Sequence, residues 1–153
     1  MPTITPCLWF DSQAEEAMAF YCSVFANSKS GHRMMVGDEP KRKALATSWE
    51  LEGQRFTAIN GGPHFKFTEA VSFMVTCDDQ AEVDDLWDKL LDGGQASRCG
   101  WLKDRYGLSW QIVPARMFEL FDDPDRAKAK RAMDAMMGMV KLDIAALERA
   151  AAG

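Results

Sequence analysis

The sequence predicts an α+β fold: two βαβββ modules forming a curved mixed sheet with helices on its outer face, followed by a C-terminal helical tail. Three observations predict it. The pentapeptide DSQAE at Asp11–Glu15 returns as DDQAE at Asp78–Glu82, an offset of 67 residues in a chain of 153. Each copy follows an apolar run, ITPCLWF or VSFMVTC, and precedes residues at helical spacing. Lastly, GQRFTAI (Gly53–Ile59) resembles GLSWQIV (Gly107–Val113) at an offset of 54, aligning glycine with glycine, Phe56 with Trp110 and Ile59 with Val113.

Each element follows from its pattern. The two apolar runs of about seven residues read as strands. Ala14, Ala17, Met18, Tyr21 and Phe25 share one face of a first helix, and Val83, Leu86, Trp87, Leu90 and Leu91 share one face of a second. Ser12 with Glu15, and Asp79 with Glu82, have the spacing of a capping box, in which the first side chain accepts from an opening N–H and the glutamate reaches back to the cap. The repeated letters therefore mark a strand-to-helix junction. Gly53 and Gly107 each precede a β-rich run, the second arm of a hairpin. The first arms are LATSWELE (Leu45–Glu52) and SRCGWLKD (Ser97–Asp104), each with a tryptophan. The first half is longer between helix and hairpin, and GDEPKRK (Gly37–Lys43) is the expected insertion or mobile loop. Module one is placed at 3–62, module two at 69–114 and the helical tail at 115–153, within one domain.

In the tail, PARMFELF suggests one or two helical turns. A longer helix is expected with Asp123 as cap, Pro124 at the first helical position and Gly138 as stop. Met133, Met136, Met137 and Val140 form its apolar stripe, and a shorter helix after Asp143 presents Ile144 and Leu147.

The composition narrows the function. At 47% hydrophobic and 27% charged the chain is an ordinary globular sequence. A net charge of −5 argues against a nucleic-acid partner, which calls for a positive stripe. The basic RAKAKR (Arg126–Arg131) reads as the solvated face of a helix. No apolar run approaches the roughly 20 residues of a membrane span. Cys7, Cys22, Cys77 and Cys99 form no CxxC pair, and with no signal peptide before the first strand they are expected as reduced thiols of a cytoplasmic protein, packed as small core residues.

FYCSVF (Phe20–Phe25), NGGPHFKFTEAVSF (Asn60–Phe73), CGWLKDRYGLSWQIVP (Cys99–Pro114) and KLDIAALERA (Lys141–Ala150) together resemble the PhnB-like group of the vicinal oxygen chelate superfamily, the group labelled 3-demethylubiquinone-9 3-methyltransferase. The superfamily also holds glyoxalase I, bleomycin-resistance proteins and extradiol dioxygenases. The resemblance spans nearly the whole chain and implies the paired-module fold and a homodimer, with the tail in or near the contact. It is poor evidence of reaction, since one scaffold hosts many chemistries. A Rossmann-type methyltransferase needs a glycine-rich turn between strand and helix. The pairs Gly61–Gly62 and Gly93–Gly94 do not make GxGxxG, and the helix junctions carry Ser12 and Asp79.

Enzymes of the superfamily hold a divalent metal on the concave face, through His, Glu or Gln of the first and last strand of each module. Matching motifs puts these places near Thr5, Thr57, Ser72 and Gln111, and the internal offsets agree: 67 carries Thr5 onto Ser72, and 54 carries Thr57 onto Gln111. Hydroxyls and one amide are poor ligands for ions that want imidazole or carboxylate. Of the two histidines, His32 follows the first helix and His64 joins the modules. No metal and no cofactor are therefore expected.

A cleft remains. Strand alternation turns Ile4, Leu8 and Phe10 toward the helices and Thr5, Cys7 and Trp9 toward the concave side. The same rule sends Phe73, Val75, Cys77, Trp110 and Ile112 inward and leaves Ser72, Met74, Gln111 and Val113, with Thr57, for the cleft. The expected ligand-binding residues are thus Thr5, Cys7, Trp9, Thr57, Ser72, Met74, Gln111 and Val113, an apolar surface with a few polar donors. These residues could instead fill a second core or a dimer seam. Asp104 and Arg105 in KDRYG fit a polar turn better than an acid and an anion anchor, and Cys99 fits a packed thiol better than a nucleophile. Three functions compete: a metal-independent protein that binds a small molecule; an enzyme, whether lyase, isomerase or methyltransferase-like, using Gln111, Asp104 or Cys99; and a structural dimer with a vestigial cavity. The scarcity of groups titrating near neutrality on the cleft strands favours the first and third.

Overall fold

The computed structural model describes residues 1–153. The chain divides into two compact units, Met1–Phe67 and Thr68–Gly153. The strands form two four-stranded mixed sheets, one in each unit.

The first unit runs β1 (Cys7–Phe10), α1 (Ala14–Val24), β2 (Ser28–Val36), β3 (Lys43–Leu51) and β4 (Gln54–Asn60). Its sheet has the order β1-β4-β3-β2, with β1 parallel to β4 and the other pairs antiparallel. Alternation in β3 buries Thr47, Trp49 and Leu51 and leaves Ala46, Ser48 and Glu50 half-buried. The expected stripe of α1 meets that buried face: Tyr21 stacks on Trp49 with ring centroids 5.8 Å apart, and Trp49 stacks on Phe56 at 6.0 Å. Glu52 (φ 48°) and Gly53 (φ 83°) both have positive φ, the demand of a tight two-residue hairpin turn. The segment Gly37–Arg42 joins β2 to β3 where the charged insertion was expected.

Two local expectations fail here. Ile4 does not face the helix; it is 96% exposed, because β1 begins only at Cys7, after Pro6 has interrupted the run. The Ser12–Glu15 capping box does not form. Gln13 is the N-cap of α1 without a side-chain bond, and Asn60 Oδ1, from the end of β4, accepts the Ala14 N–H at 2.9 Å. A tertiary contact has taken the orphan donor that a local cap would satisfy.

The second unit repeats the plan: β5 (Ser72–Cys77), α2 (Gln80–Leu91), β6 (Gln95–Ala96), β7 (Trp101–Lys103) and β8 (Ser109–Pro114), in the order β5-β8-β7-β6, with β5 parallel to β8. Here the cap forms. Asp79 Oδ1 accepts the Glu82 N–H at 2.9 Å, while Glu82 reaches back to Asp78 N at 2.8 Å, one residue earlier than the simple box requires. Val83, Trp87 and Leu90 are buried, as are Leu102, Trp110 and Ile112 of the sheet that α2 packs on.

Three tail helices follow: α3 (Ala115–Phe121), α4 (Arg126–Met137) and α5 (Ile144–Ala152). They share a core with β8 made of Val113, Met117, Leu120, Ala132, Leu142, Leu147 and Ala151. The N-cap of α4 is Asp125, accepting from Ala127 and Lys128, rather than Asp123. The expected methionine stripe is only partly right. Ala129 and Ala132 are the buried residues of α4, Met136 packs at the margin, and Met137 and Val140 are 63% and 48% exposed. Small alanines let α4 approach α5 closely, and the long methionines are left at the rim. The segment after α4 is held by backbone bonds from Cys99 N to Met139 O and from Gly100 N to Val140 O, both 2.8 Å. Gln80 clamps the next residues: its Nε2 donates to Leu142 O at 3.0 Å and its Oε1 accepts from Ile144 N at 2.8 Å. No helix is long and apolar enough to cross a membrane.

Candidate functional site

In the first unit the register places Cys7 opposite Thr57 and Trp9 opposite Ile59. Cys7 is exposed, and Thr5 and Thr57 are half-buried. Thr57 Oγ1 donates to Pro6 O at 3.4 Å, and Thr5 lies ahead of β1. Trp9 is not an open platform. Its Nε1 donates to Gly62 O at 2.9 Å, Phe65 meets the ring edge-on at 4.9 Å, and His64 does so at 6.5 Å. A Cβ on Gly61 would fall 2.2 Å from the indole, so the ring requires glycine there.

In the second unit Met74 lies opposite Gln111, and Gln111 opposite Trp101, forming one rung of the sheet. Ser72, Ser109 and Lys103 form the neighbouring rung on the same face. Gln111 Nε2 donates to Ser72 Oγ at 2.9 Å, linking the rungs. Met74 is 50% exposed, and Ser72, Gln111, Trp101 and Lys103 are half-buried. One rung is thus mainly apolar and the other polar.

Val113 leaves the expected set. It is 1% exposed and sits in the tail core against Met117, Leu120 and Leu142, so the chain's own helices occupy the place assigned to a ligand. Trp101, Lys103 and Ser109 join the face unforeseen. The alternation of Trp101 with Lys103 was visible, but placing them beside Gln111 and Ser109 needs the β7–β8 register, which the loop Asp104–Leu108 sets.

That loop explains Asp104. Its carboxylate is 2% exposed; Oδ1 accepts from Tyr106 N at 2.8 Å and Leu108 N at 3.1 Å, and Oδ2 accepts from Trp110 Nε1 at 3.0 Å. Asp104 builds the turn, as the sequence suggested. The cysteines are free, and only Cys77 is core; burial pushes its thiol up to about 11, with Glu82 adding to the rise. Cys7 is exposed and Cys22 and Cys99 are half-buried, so the expectation of small core residues holds for one thiol in four.

The metal implied by the superfamily does not fit these residues. The four matched positions offer hydroxyls and one amide, and the amide nitrogen is already bonded to Ser72. No group of three or more His, Cys, Asp or Glu could hold a metal ion.

A family model described as 3-demethylubiquinone-9 3-methyltransferase matches residues 2–113. The chain belongs to this family. In the 3-demethylubiquinone-9 3-methyltransferase family, the PhnB protein of Bacillus cereus has 33% identity and a TM-score of 0.68, over 74% of this chain and 100% of that one. A Pseudomonas aeruginosa protein shares the fold at 20% identity and TM-score 0.63, over 74% of this chain and 98% of its own. The fosfomycin resistance protein FosX of Listeria monocytogenes shares it at 12% identity and TM-score 0.54, over 75% and 94%. No curated protein matches the chain. The family match stops at Val113, so α3, α4 and α5 lie beyond it.

Proposed function

We propose that this member of the family binds a small organic molecule on the Met74–Gln111–Trp101 face of its second unit, without a metal. One observation carries the reading: a half-buried amide–hydroxyl pair, Gln111 with Ser72, borders an exposed methionine and a half-buried tryptophan on one sheet face. Such a surface offers apolar contact plus one or two directional hydrogen bonds, the character of a small-molecule site. No residue of the two rungs is itself a carboxylate or imidazole, and the Glu69 carboxylate beside them is held in an ion pair with Lys103, which favours binding over catalysis.

The test is a thermal-shift screen of the full chain against small aromatic and aliphatic compounds and against divalent metals. Stabilisation grows with the logarithm of ligand over dissociation constant, so millimolar binders register. A shift with an organic compound, lost in Gln111→Ala, supports the reading; a blank organic screen overturns it. A stabilising compound that is chemically altered on incubation would replace it with the enzyme reading.

The chain is further proposed to be a homodimer through its tail. Phe118, Met137 and Val140 of the tail are exposed apolar residues in support of this. Light scattering that gives a monomer mass at micromolar concentration overturns it.

A further inference from the structure

We propose that the polar rung anchors the carboxylate of a small organic acid, in the place now taken by the chain's own Glu69. This rests on the binding reading above and names its ligand class.

A recess of about 160 Å³ opens at the end of that rung, lined by Glu69, Gln95, Ser97, Trp101, Lys103 and Ser109. At roughly 30 Å³ per water-sized group it holds on the order of five such groups. Its one cation, Lys103, is paired with Glu69. Glu69 lies on the connection that leads into β5, and its side chain is 61% exposed. Hydrogen bonding from Lys103 holds the Glu69 carboxyl below its ordinary range. The recess thus already receives a carboxylate, donated by a solvent-exposed side chain that a ligand can displace at small cost, because exposed ion pairs are weak.

Ser109 is the second observation. It is 1% exposed, and its Oγ has no hydrogen-bond partner. A buried hydroxyl without a partner is unfavourable, and a ligand carboxylate that bridged Lys103 and Ser109 would give it an acceptor, a bond stronger than a neutral one. Glu69 meets Lys103 without satisfying Ser109. An acid brought by a ligand can do both, with its flat body toward Trp101.

The experiment measures binding of crotonate and of its neutral isostere crotonamide by calorimetry, at matched ionic strength, to the full chain and to three variants. Crotonate is expected to bind and crotonamide to bind at least about tenfold more weakly. Lys103→Met and Ser109→Ala should each weaken crotonate by about tenfold, as expected for loss of a charge-assisted bond. Glu69→Gln should strengthen it about two- to fivefold by freeing the ammonium. Ser109→Ala should melt no lower than the parent, which separates lost binding from lost folding. Equal binding of crotonate and crotonamide overturns the carboxylate assignment and leaves the sheet-face reading standing. Crotonate affinity unchanged in all three variants overturns the recess as the anchor. Parent and Glu69→Gln chains that both ignore crotonate also overturn it, while the sheet-face reading falls only if the wider organic screen is blank.

Discussion

Gln111 donates its amide to Ser72 Oγ at 2.9 Å across two parallel strands, at two of the four positions that the superfamily resemblance matches to metal ligands. The bond joins half-buried neutral groups, so it contributes little to folding, about 1 kcal/mol or less. Gln111→Ala and Ser72→Ala are therefore expected to shift the urea midpoint only slightly while abolishing any organic-ligand thermal shift. Equimolar Zn²⁺, Ni²⁺ or Mn²⁺, or EDTA, should leave the melting temperature of the parent unchanged. A metal-dependent rise that Gln111→Ala removes would show that this donor set holds an ion after all.

Asp104 makes the opposite prediction. Its buried carboxylate accepts from two backbone N–H groups and the Trp110 indole. Asp104→Ala strands all three donors, at an expected cost of about 3 kcal/mol or more in denaturant unfolding. Asp104→Asn keeps acceptor capacity and should recover part of that loss. If Asp104 served in catalysis rather than the turn, both variants would leave stability near the parent.

The duplication made most of the fold legible. The offsets read from letters survive in the register: Cys7 faces Thr57 in one unit as Met74 faces Gln111 in the other. Helix stripes were legible because burial repeats with the helical period, as Ala14, Ala17, Met18 and Tyr21 do. At Ile4 the reading failed because the neighbouring Pro6 delays the strand, and at Ser12 and Val113 because a distant part of the chain intervened. Asn60 replaced a local cap, and the tail covered Val113, which alternation alone had sent to a cleft. The polar recess stayed hidden because Lys103, Ser109 and Glu69 come from three segments, aligned by the β7–β8 hairpin register and by the parallel pairing of β5 with β8.

Gly61 tests the packing of the first unit. A Cβ there would sit 2.2 Å from the Trp9 ring, which also bonds Gly62 O. Gly61→Ala must therefore displace the indole from Phe65 and His64. We expect a loss of about 2 kcal/mol, in the range for overpacking, together with a red-shifted tryptophan emission. An unchanged spectrum and midpoint would mean that the loop yields without moving Trp9.

Cys77 gives the chain a pH signature. Burial raises its thiol to about 11 from an ordinary 9.0, so the folded state holds this proton more tightly than the unfolded state. The associated stability is fully present below pH 9 and is lost as pH rises toward 11, with a slope of up to about 1.4 kcal/mol per pH unit. Denaturation midpoints of the parent should fall across that window more steeply than those of Cys77→Ala, whose lower baseline reflects a small cavity. Reactivity follows the same cause. At pH 8 roughly one Cys77 in a thousand is a thiolate, and it is shielded, so a thiol reagent should label exposed Cys7 first and Cys77 only on unfolding. Rapid labelling of Cys77 in the native chain, found by peptide mapping, would contradict its placement beneath α2.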